Sequence, residues 1–387
     1  MRSGWVGVMT LLLAGLVAGS AARGRVLPSD AYVWQFQWSP ALLRALRDGA
    51  PLVRDWRVLV AEADATGRWR VVDVDWAAVT RPAVLVVRLD GRLDAKALDT
   101  FPARIQALII AHPDAVAGLE IDHDCGTASL AAYARLLAAV RAGLPASVPL
   151  SVTALPDWLH APALDAVLAP VSEVVLQVHA VQNPRAGLFD PAQARRWADA
   201  MERRSVKPFR LALPAYGARV SWAADGRLLA VESERPLLAG GEAEELMASP
   251  AGVAAFLRAL QRDPPAHLAG IVWFRLPTED DARAWSPATW RAVLRGDGMA
   301  PALRTMVRAG DVPGTSDMVV ANDGDIDAPL PAAVMLPSPC TEADGLNGYA
   351  LTQGGRLRRT QAGVLRAHQT LAVGWTRCMP EQPHANP

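Results

Sequence analysis

Eight short apolar runs alternate with helix-like stretches along the sequence, and this alternation limits the fold more than any other feature. Each run is rich in Val, Ile or Leu and is apolar at most positions, which is typical of strands buried on both faces. The predicted strands are Ala31–Trp38, Trp56–Asp64, Ala83–Asp90, Ala117–Asp124, Pro149–Pro156, Glu173–Val181, Phe209–Gly217 and Gly270–Pro277. The predicted helices are Ser39–Asp48, Asp94–Ala111, Ser129–Leu144, Asp190–Arg204, Ser249–Arg262 and Ser286–Arg295.

Eight strand–helix units in about 265 residues match the size of a (β/α)8 TIM barrel. A doubly wound open sheet is the competing fold, and it usually carries a glycine-rich phosphate loop after its first strand. Here the first strand runs into Trp38-Ser39-Pro40, and the sequence contains no G-x-G-x-x-G, P-loop or H-E-x-x-H motif. We therefore expect an α/β fold with a TIM-barrel domain over residues 23–300 and no nucleotide or zinc cofactor.

Two further regions depart from the strand–helix alternation. Between the seventh strand and the next helix, Arg219–Ala223 and Leu228–Glu232 flank an Asp-Gly turn, which predicts a hairpin over the mouth of the barrel. After Gly298 short alternating runs lie among Asn, Asp, Pro and Gly turns. This pattern predicts a small antiparallel, β-sandwich-like domain over residues 301–380.

The first 22 residues resemble a secretory signal peptide. Arg2 precedes an apolar run from Trp5 to Val17, and small residues follow, with Ser20 and Ala22 at the positions before the expected cleavage. The apolar run is short for a membrane span, and no later stretch reaches about 18 apolar residues. The sequence therefore predicts a periplasmic or secreted protein without a transmembrane segment.

The charge balance limits the possible binding partners of the protein, and the cysteine content limits its possible disulfides. The chain of 387 residues carries 39 basic and 39 acidic residues, so its net charge is zero, and this balance argues against nucleic acid as a partner. Three cysteines are present. Cys340 and Cys378 both fall in the C-terminal segment and are expected to form a disulfide in an oxidising compartment, which leaves Cys125 unpaired.

Polar residues recur near the carboxyl end of nearly every predicted strand, where the active sites of TIM barrels lie. With the more apolar phase of each strand turned toward the helices, a polar set points into the barrel. Strand one is ambiguous, with Trp34 on one of its two phases. The candidate substrate-binding residues are Trp34, Glu62, Arg88, Gln177, His179, Tyr216, Trp273 and Arg275. The alternative for Glu62, Arg88, Glu120 and Arg275 is a buried ion-pair network without a chemical role.

Three carboxylates, Glu120, Asp122 and Asp124, alternate along strand four and therefore share one face. Successive members lie roughly 6.6 Å apart along a strand. Because like charges at this spacing do not all ionise easily, one pKa is expected to rise toward neutrality. A carboxyl that is protonated near neutral pH can donate a proton to a leaving oxygen, as in glycoside hydrolysis. The three carboxylates are the candidate catalytic residues.

The sequence Gly118-Leu119-Glu120-Ile121-Asp122-His123-Asp124 resembles the strand-four signature Asp-x-x-Asp-x-Asp-x-Glu of the family 18 glycoside hydrolases, which are chitinase-like barrels. Trp273 on strand eight resembles the tryptophan at the floor of their site. The resemblance implies that Asp124 is the proton donor and that Asp122 steadies an acetamido group. This chain differs from the family in having Asp at the donor position, Glu120 at the first acid, and Gln177-Val178-His179 where strand six carries a Tyr-Asp pair.

A second resemblance spans nearly the whole mature chain. Five segments and a C-terminal Val373-Gly374-Trp375-Thr376-Arg377 are similar to the bacterial family called domain of unknown function 3142. The five segments are Ile121–Cys125, Leu150–Pro156, Gln177–His179, Ala212–Gly217 and Trp273–Pro277. This resemblance implies no activity, so the functional prediction depends on the residues of the site.

Three functions fit these residues. The first is a secreted glycoside hydrolase in which Asp124 is the acid, Asp122 its electrostatic partner, and Trp273 and Trp34 stack on the sugar. The second is a non-catalytic envelope protein that binds a glycan or a protein partner. The third is a hydrolase or deacetylase in which Asp122, Asp124 and His179 bind a divalent metal ion. The expected partner is an oligo- or polysaccharide, and the first function requires no metal or cofactor.

Overall fold

The computed structural model of the protein describes residues 25–179, 187–223, 228–232, 242–281, 283–298, 300–337, 340–360 and 363–378, with residues 219, 228–232, 242–245, 341 and 378 described by their backbone only. The predicted signal peptide, 1–22, lies outside these residues. The first part of the chain contains the strands β1 (Ser29–Val33), β2 (Trp56–Ala63), β3 (Trp69–Val71), β4 (Ala83–Leu89), β5 (Val116–His123), β6 (Leu150–Ala154), β7 (Glu173–Gln177), β8 (Phe209–Pro214), β9 (Gly217–Trp222), β10 (Leu228–Glu232), β11 (Glu242–Met247) and β12 (Leu268–Phe274).

Eight of these strands close into a parallel barrel, as the sequence predicts. Neighbouring strands pair in the order β1, β2, β4, β5, β6, β7, β8 and β12, and β12 pairs with β1 again. Each barrel strand overlaps one of the eight predicted apolar runs. The ring brings the carboxyl ends of all eight strands to one face, and this face is called the mouth below.

Helices connect most of the barrel strands on the outside. They are α1 (Pro40–Gly49), α2 (Ala95–Leu98), α3 (Phe101–Ala111), α4 (Leu130–Gly143), α5 (Leu164–Leu168), α6 (Pro191–Arg204), α7 (Pro250–Arg262) and α8 (Pro287–Arg295). Five of the six predicted helix starts carry a side-chain cap that accepts a backbone N–H of the first turn, namely Ser39, Asp94, Asp190, Ser249 and Ser286. The predicted helix Asp94–Ala111 is divided into α2 and α3 at Asp99 and Thr100.

A short antiparallel strand completes the wall of the barrel at the mouth. β1 pairs with the first half of β2, through Val33 and Val58, whereas β3 pairs with the second half, through Arg70 and Glu62. The connector after β2 therefore begins with a hairpin strand, β3. Near the mouth, β3 takes the place of β1 beside β2.

The inward phase of β2 changes within the strand. Leu59 packs in the apolar cluster inside the barrel, while Val58 and Val60 pack in the outer cluster against the helices, so a strict alternation counted back from Glu62 does not hold along the strand. The register shifts between Leu59 and Ala61, and this bulge turns Glu62 back toward the inside. A pattern of alternation cannot reveal a bulge, because both phases of this strand are apolar.

The segment after β8 contains both strands of the predicted hairpin. β9 pairs antiparallel with β10 and also with β11, which gives a sheet of three strands beside the mouth. The Asp-Gly turn at residues 224–227 lies outside the described residues.

The C-terminal part of the chain consists of antiparallel sheets. Its strands are β13 (Leu303–Ala309), β14 (Ser316–Asn322), β15 (Ala328–Pro329), β16 (Ala333–Met335), β17 (Cys340–Gly345), β18 (Tyr349–Thr352), β19 (Arg356–Arg359), β20 (Val364–Leu365) and β21 (Thr370–Cys378). Side chains of the sheets meet in one apolar cluster that includes Val320, Leu357 and Val373. This part contacts the barrel through Asp327, which accepts the backbone N–H of Ser286 at 2.7 Å.

None of the helices in the described part of the chain has the length and apolar character needed to cross a bilayer.

Candidate active site at the barrel mouth

The three carboxylates of β5 point into the barrel at successive depths, as the alternation predicts. Leu119 and Ile121, the residues on either side of Glu120, pack in the outer apolar cluster. Glu120 and Asp122 are buried, whereas Asp124, just beyond the end of the strand, is exposed. The strand therefore carries one acid at the floor of the barrel, one at an intermediate depth and one at the mouth.

Glu120 belongs to a buried ion-pair network at the floor. Its carboxylate accepts hydrogen bonds from Arg57, from Tyr32 at 2.5 Å and from Ser151 at 3.2 Å. Arg57 also contacts Asp30 at 3.1 Å. Because every polar atom of Glu120 is engaged below the apolar cluster inside the barrel, the structure favours the ion-pair alternative for this residue over a catalytic role.

Arg57 and Arg210, which are buried inside the barrel, form ion pairs with acidic residues of three other strands. Arg57 and Arg210 both contact Glu173, at 2.7 and 2.9 Å. Burial alone lowers the pKa of Arg57, but the neighbouring Glu120 and Asp30 carboxylates outweigh it and hold that pKa well above its usual value. Arg57 therefore remains charged over the whole accessible pH range, whereas burial raises the pKa of the Glu120 carboxyl.

Asp122 lies one step nearer the mouth and is held in place by a neighbouring strand. It is only 5% exposed, and the hydroxyl of Thr153 on β6 donates a hydrogen bond to it at 2.5 Å. Asp122 also stands opposite Arg88 in the register of β4 and β5. A carboxylate fixed in this way can stabilise positive charge that develops just above it.

Asp124 is the acid at the opening. The amide of Gln177, at the end of β7, donates a hydrogen bond to it at 3.0 Å. The walls of the mouth desolvate its carboxyl and raise its pKa above the ordinary value, although the charge of Arg88 and the Gln177 hydrogen bond act in the opposite direction. A carboxyl that reaches the opening and retains its proton to a higher pH has the properties of a general acid.

Glu62 and Arg88 line the same side of the mouth. The two side chains are partly exposed and lie 3.9 Å apart, which makes a weak ion pair. The guanidinium of Arg88 also lies 5.7 Å from the ring centre of Trp34. Both predicted substrate-binding residues are therefore near Asp122 and Asp124, and neither belongs to the buried network at the floor.

Aromatic rings continue around the interior from Trp34. Trp34 is 4% exposed and packs edge-on against Phe274, with ring centres 5.1 Å apart. Phe274 also stacks on His179 at 5.3 Å and contacts Tyr216 edge-on. The choice between the two phases of strand one is thereby settled, because Tyr32 and Trp34 both lie inside the barrel.

His179 is a buried, neutral imidazole beside these rings. Burial lowers its pKa to about 4. Its Nδ1 atom lies 3.3 Å from the hydroxyl of Tyr216, and its Nε2 atom has no hydrogen-bond partner among the described residues. A buried polar nitrogen without a partner is costly, so Nε2 is available to a bound hydroxyl group or water.

The prediction for strand eight is wrong in phase. Ile271 and Trp273 pack in the outer cluster, and Trp273 is fully buried with its indole N–H donated to Ser29 at 3.2 Å. Phe274 occupies the inward position instead. Both phases of this strand are apolar, so the pattern did not distinguish them, and Trp273 is not placed to stack on a sugar in the mouth.

Arg275 follows Phe274 across a cis peptide bond and is almost completely buried. Its guanidinium makes two hydrogen bonds to Asp281 in the next loop, at 3.0 and 2.6 Å. This ion pair fixes the loop after β12.

Phe274, Arg57 and Thr153 were not among the candidate residues, although the alternation of strand five did place Thr153 on the inward face.

The described residues contain no group of three His, Cys, Asp or Glu side chains arranged to hold a metal ion. Asp122, Asp124 and His179 therefore do not form the ligand cluster that the metal-dependent alternative requires.

Cys340 stands directly opposite Cys378 in the antiparallel pair of β17 and β21. This backbone register is the one that the predicted disulfide needs, and Cys340 is disulfide-bonded. Cys125 is a free and fully buried thiol behind Asp124.

Two families match the sequence. The family described as Domain of unknown function (DUF3142) matches residues 79–279, which include the strands that carry the mouth acids. The family described as Domain of unknown function (DUF8456) matches residues 305–379, in the C-terminal sheets. No curated protein matches the chain.

Solved structures with a similar fold include two spore cortex-lytic enzymes and a chitinase. The enzyme SleL of Bacillus cereus is 14% identical, with a TM-score of 0.52 over 72% of this chain and 76% of that chain. SleL of Bacillus megaterium QM B1551 is 11% identical, with a TM-score of 0.50 over the same shares. A chitinase from Chromobacterium violaceum ATCC 12472 is 15% identical, with a TM-score of 0.47 over 70% of this chain and 98% of that chain. The two SleL structures share the barrel fold of this chain.

Proposed function

Since the chain belongs to the family described as Domain of unknown function (DUF3142), a description that assigns no activity, we propose a function from the chemistry of the mouth: hydrolysis of glycosidic bonds in an extracytoplasmic polysaccharide. The observation that carries this proposal is the environment of Asp124. Its carboxyl reaches the opening, is held by Gln177, and has a raised pKa. The barrel fold shared with cortex-lytic enzymes supports the same class of reaction.

In the proposed reaction Asp124 is the general acid. A glycan bound across the mouth receives the proton of Asp124 on the oxygen of the bond that breaks, and the leaving sugar departs as an alcohol. Positive charge then develops on the other sugar, a water molecule attacks its anomeric carbon, and the proton lost by that water returns to the Asp124 carboxylate. Asp122, buried below and fixed by Thr153, stabilises this charge without being exposed to solvent.

His179 and Tyr216 are proposed to position the substrate or a water molecule. The Nε2 atom of His179 has no partner among the described residues, and at neutral pH the imidazole carries no charge that would attract a stray anion. The hydroxyl of Tyr216 fixes the ring through Nδ1. Gln177-Val178-His179 stands where strand six of the family 18 enzymes carries a Tyr-Asp pair, so no assistance by an acetamido group is assumed.

Export is part of the proposal. A segment with the features of a signal peptide over residues 1–22 would bring the barrel to the periplasm or the exterior, where structural polysaccharides lie.

The test is turnover by the chain that begins at Arg23. We expect release of reducing ends from one member of a panel of bacterial polysaccharides, and loss of this activity in Asp124→Asn. The matched control is Asp297→Asn, which makes the same change at an exposed residue after α8. Equal activity of Asp124→Asn and the wild type would refute the assignment of the acid.

A glycan-binding protein without turnover is the second candidate. The observation in its favour is that the mouth acid is Asp, which is one methylene shorter than the Glu of the family 18 signature. Calorimetry distinguishes the two candidates. Tight binding of glycan fragments that remain intact after long incubation with the wild type supports the binding protein.

A further inference from the structure

Two guanidinium groups lie over two aromatic rings along one side of the mouth. The guanidinium of Arg70 is 4.0 Å from the ring centre of Phe36, and that of Arg88 is 5.7 Å from the ring centre of Trp34. Arg70 belongs to β3, the hairpin strand that takes the place of β1 near the mouth. We call these four residues the rim stripe.

The register of neighbouring strands connects Arg70 and Arg88 of the rim stripe to Asp122 on β5. Arg70 stands opposite Glu62, Glu62 opposite Arg88, and Arg88 opposite Asp122. Neighbouring strands are separated by about 4.8 Å, so three steps place the backbone of Arg70 roughly 14 Å from that of Asp122. A glycan that lies across the mouth with one bond at Asp124 and extends along this side would therefore bring a sugar a few residues from that bond to Arg70.

No carboxylate of the described residues neutralises the charge of Arg70. Arg70 is exposed, and within the described part of the chain it forms no salt bridge, because Glu62 lies 3.9 Å from Arg88 instead. Phe36 covers one face of the guanidinium and limits its rotation. The N–H groups at the edge of the plane remain, and their fork matches a carboxylate in two parallel hydrogen bonds.

We propose that Arg70 on Phe36 forms a subsite for a sugar that carries a carboxylate, so that the substrate is an acidic glycan. The proposal rests on the proposed function for the position of the cleaved bond. Asp122 and Asp124 disfavour an anionic group at the centre of the mouth, whereas Arg70 favours one a few sugars away. This separation selects glycans in which the carboxylate is not on the sugar whose bond breaks.

Binding to the Asp124→Asn variant tests the subsite without turnover. Two acidic probes represent the sources of the carboxylate: tetragalacturonate, with the group on the sugar ring, and a muramic-acid-containing tetrasaccharide, with the group on a lactyl ether. Neutral cellotetraose is the comparison. We expect one acidic probe to bind more tightly than cellotetraose and to bind less tightly as ionic strength increases.

Arg70→Gln in the same background is expected to weaken binding of that probe by about tenfold and to leave cellotetraose unchanged. The control is Arg68→Gln, an exposed arginine of the same hairpin that lies over no aromatic ring. Equal losses in the two variants, or no preference for either acidic probe, would overturn the proposal.

The outcomes separate this proposal from the proposed function. If an acidic probe binds in an Arg70-dependent way and the wild type never cleaves it, the subsite is supported and the proposed hydrolase activity is refuted. Cleavage of a neutral glycan that is lost in Asp124→Asn but equal in Arg70→Gln would do the reverse.

Discussion

Gly91 lies directly against the backbone of Asp124. A methyl group on residue 91 would stand 2.0 Å from the carbonyl oxygen of Asp124 and 3.2 Å from the Cα atom of Cys125. Only a residue without a side chain allows this approach. The turn after β4 thus sets where β5 ends, and with it the position of the acid at the mouth.

Gly91→Ala is expected to lower turnover by about 10- to 100-fold, because it displaces Asp124 from its place while the distant core is unchanged. The control is Gly126→Ala, since a methyl group there meets no atom within 4 Å. Turnover and the thermal midpoint are measured together for both variants. Equal turnover in Gly91→Ala and the wild type would show that the contact does not position the acid.

Arg88 is expected to set the upper pH limit of activity. The general acid must be protonated, so kcat/KM falls as the pH increases through the pKa of Asp124. The charge of Arg88 lowers that pKa, and its removal in Arg88→Gln should therefore move the alkaline limb to higher pH. Arg92→Gln changes an exposed residue in the turn that follows β4, and it should leave the alkaline limb at the same pH. A limb that does not move, or moves to lower pH, contradicts the role given to Asp124.

His179 is expected to make the fold less stable in mild acid. Its pKa is about 4 in the folded protein against 6.5 as the ordinary value, so between these values the unfolded chain binds the proton and the folded chain does not. The free energy of unfolding therefore decreases as the pH falls from about 6.5 to 4, by a total of about 3 kcal/mol from this group. Urea titrations of the wild type and His179→Gln at pH 7 and pH 5 measure it. The variant should lose less stability between the two pH values, and parallel losses would show that His179 is not buried as a neutral ring.

Much of the barrel was predictable from the sequence because local signals agree with the final structure. Each buried parallel strand is an apolar run, and the serine or aspartate before α1, α6, α7 and α8 caps the helix as its position suggests. The acids of β5 were also placed correctly. Their alternation with Leu119 and Ile121 leaves only one phase that keeps charge away from the helices.

The errors fall where both phases of a strand are apolar. In β12 the rings of Trp273 and Phe274 are equally suited to burial, and only the closure of the barrel turns Phe274 inward. In β2 a bulge reverses the phase between Leu59 and Glu62. The partners of Glu120 were not predictable either, because Arg57 and Tyr32 come from strands far away in the sequence.

The ion-pair network at the floor is expected to be essential to stability. Arg57→Met removes the partner of Glu120 and Asp30 and leaves buried carboxylates without compensation, so the free energy of unfolding should fall by about 3–5 kcal/mol. Arg304→Met provides the comparison, since its ion pair with Asp323 is exposed on both sides and should contribute less than about 1 kcal/mol. Denaturant titration gives both values. Losses of the same size would mean that the floor is open to solvent.

The disulfide between Cys340 and Cys378 is expected to be the sole one in the protein. The two residues are opposite each other on neighbouring strands, and the bond would close a loop whose entropy corresponds to about 4 kcal/mol of stability. Burial raises the pKa of the Cys125 thiol to about 12, so this residue stays protonated and unreactive at pH 8. Alkylation of the native protein should therefore add no label before reduction and two labels after it, with Cys125 labelled only on unfolding. Cys340→Ser should lower the thermal midpoint by as much as Cys340→Ser/Cys378→Ser together, because either change removes the same bond. Two labels on the untreated native protein would show that the strands are held together without the bond.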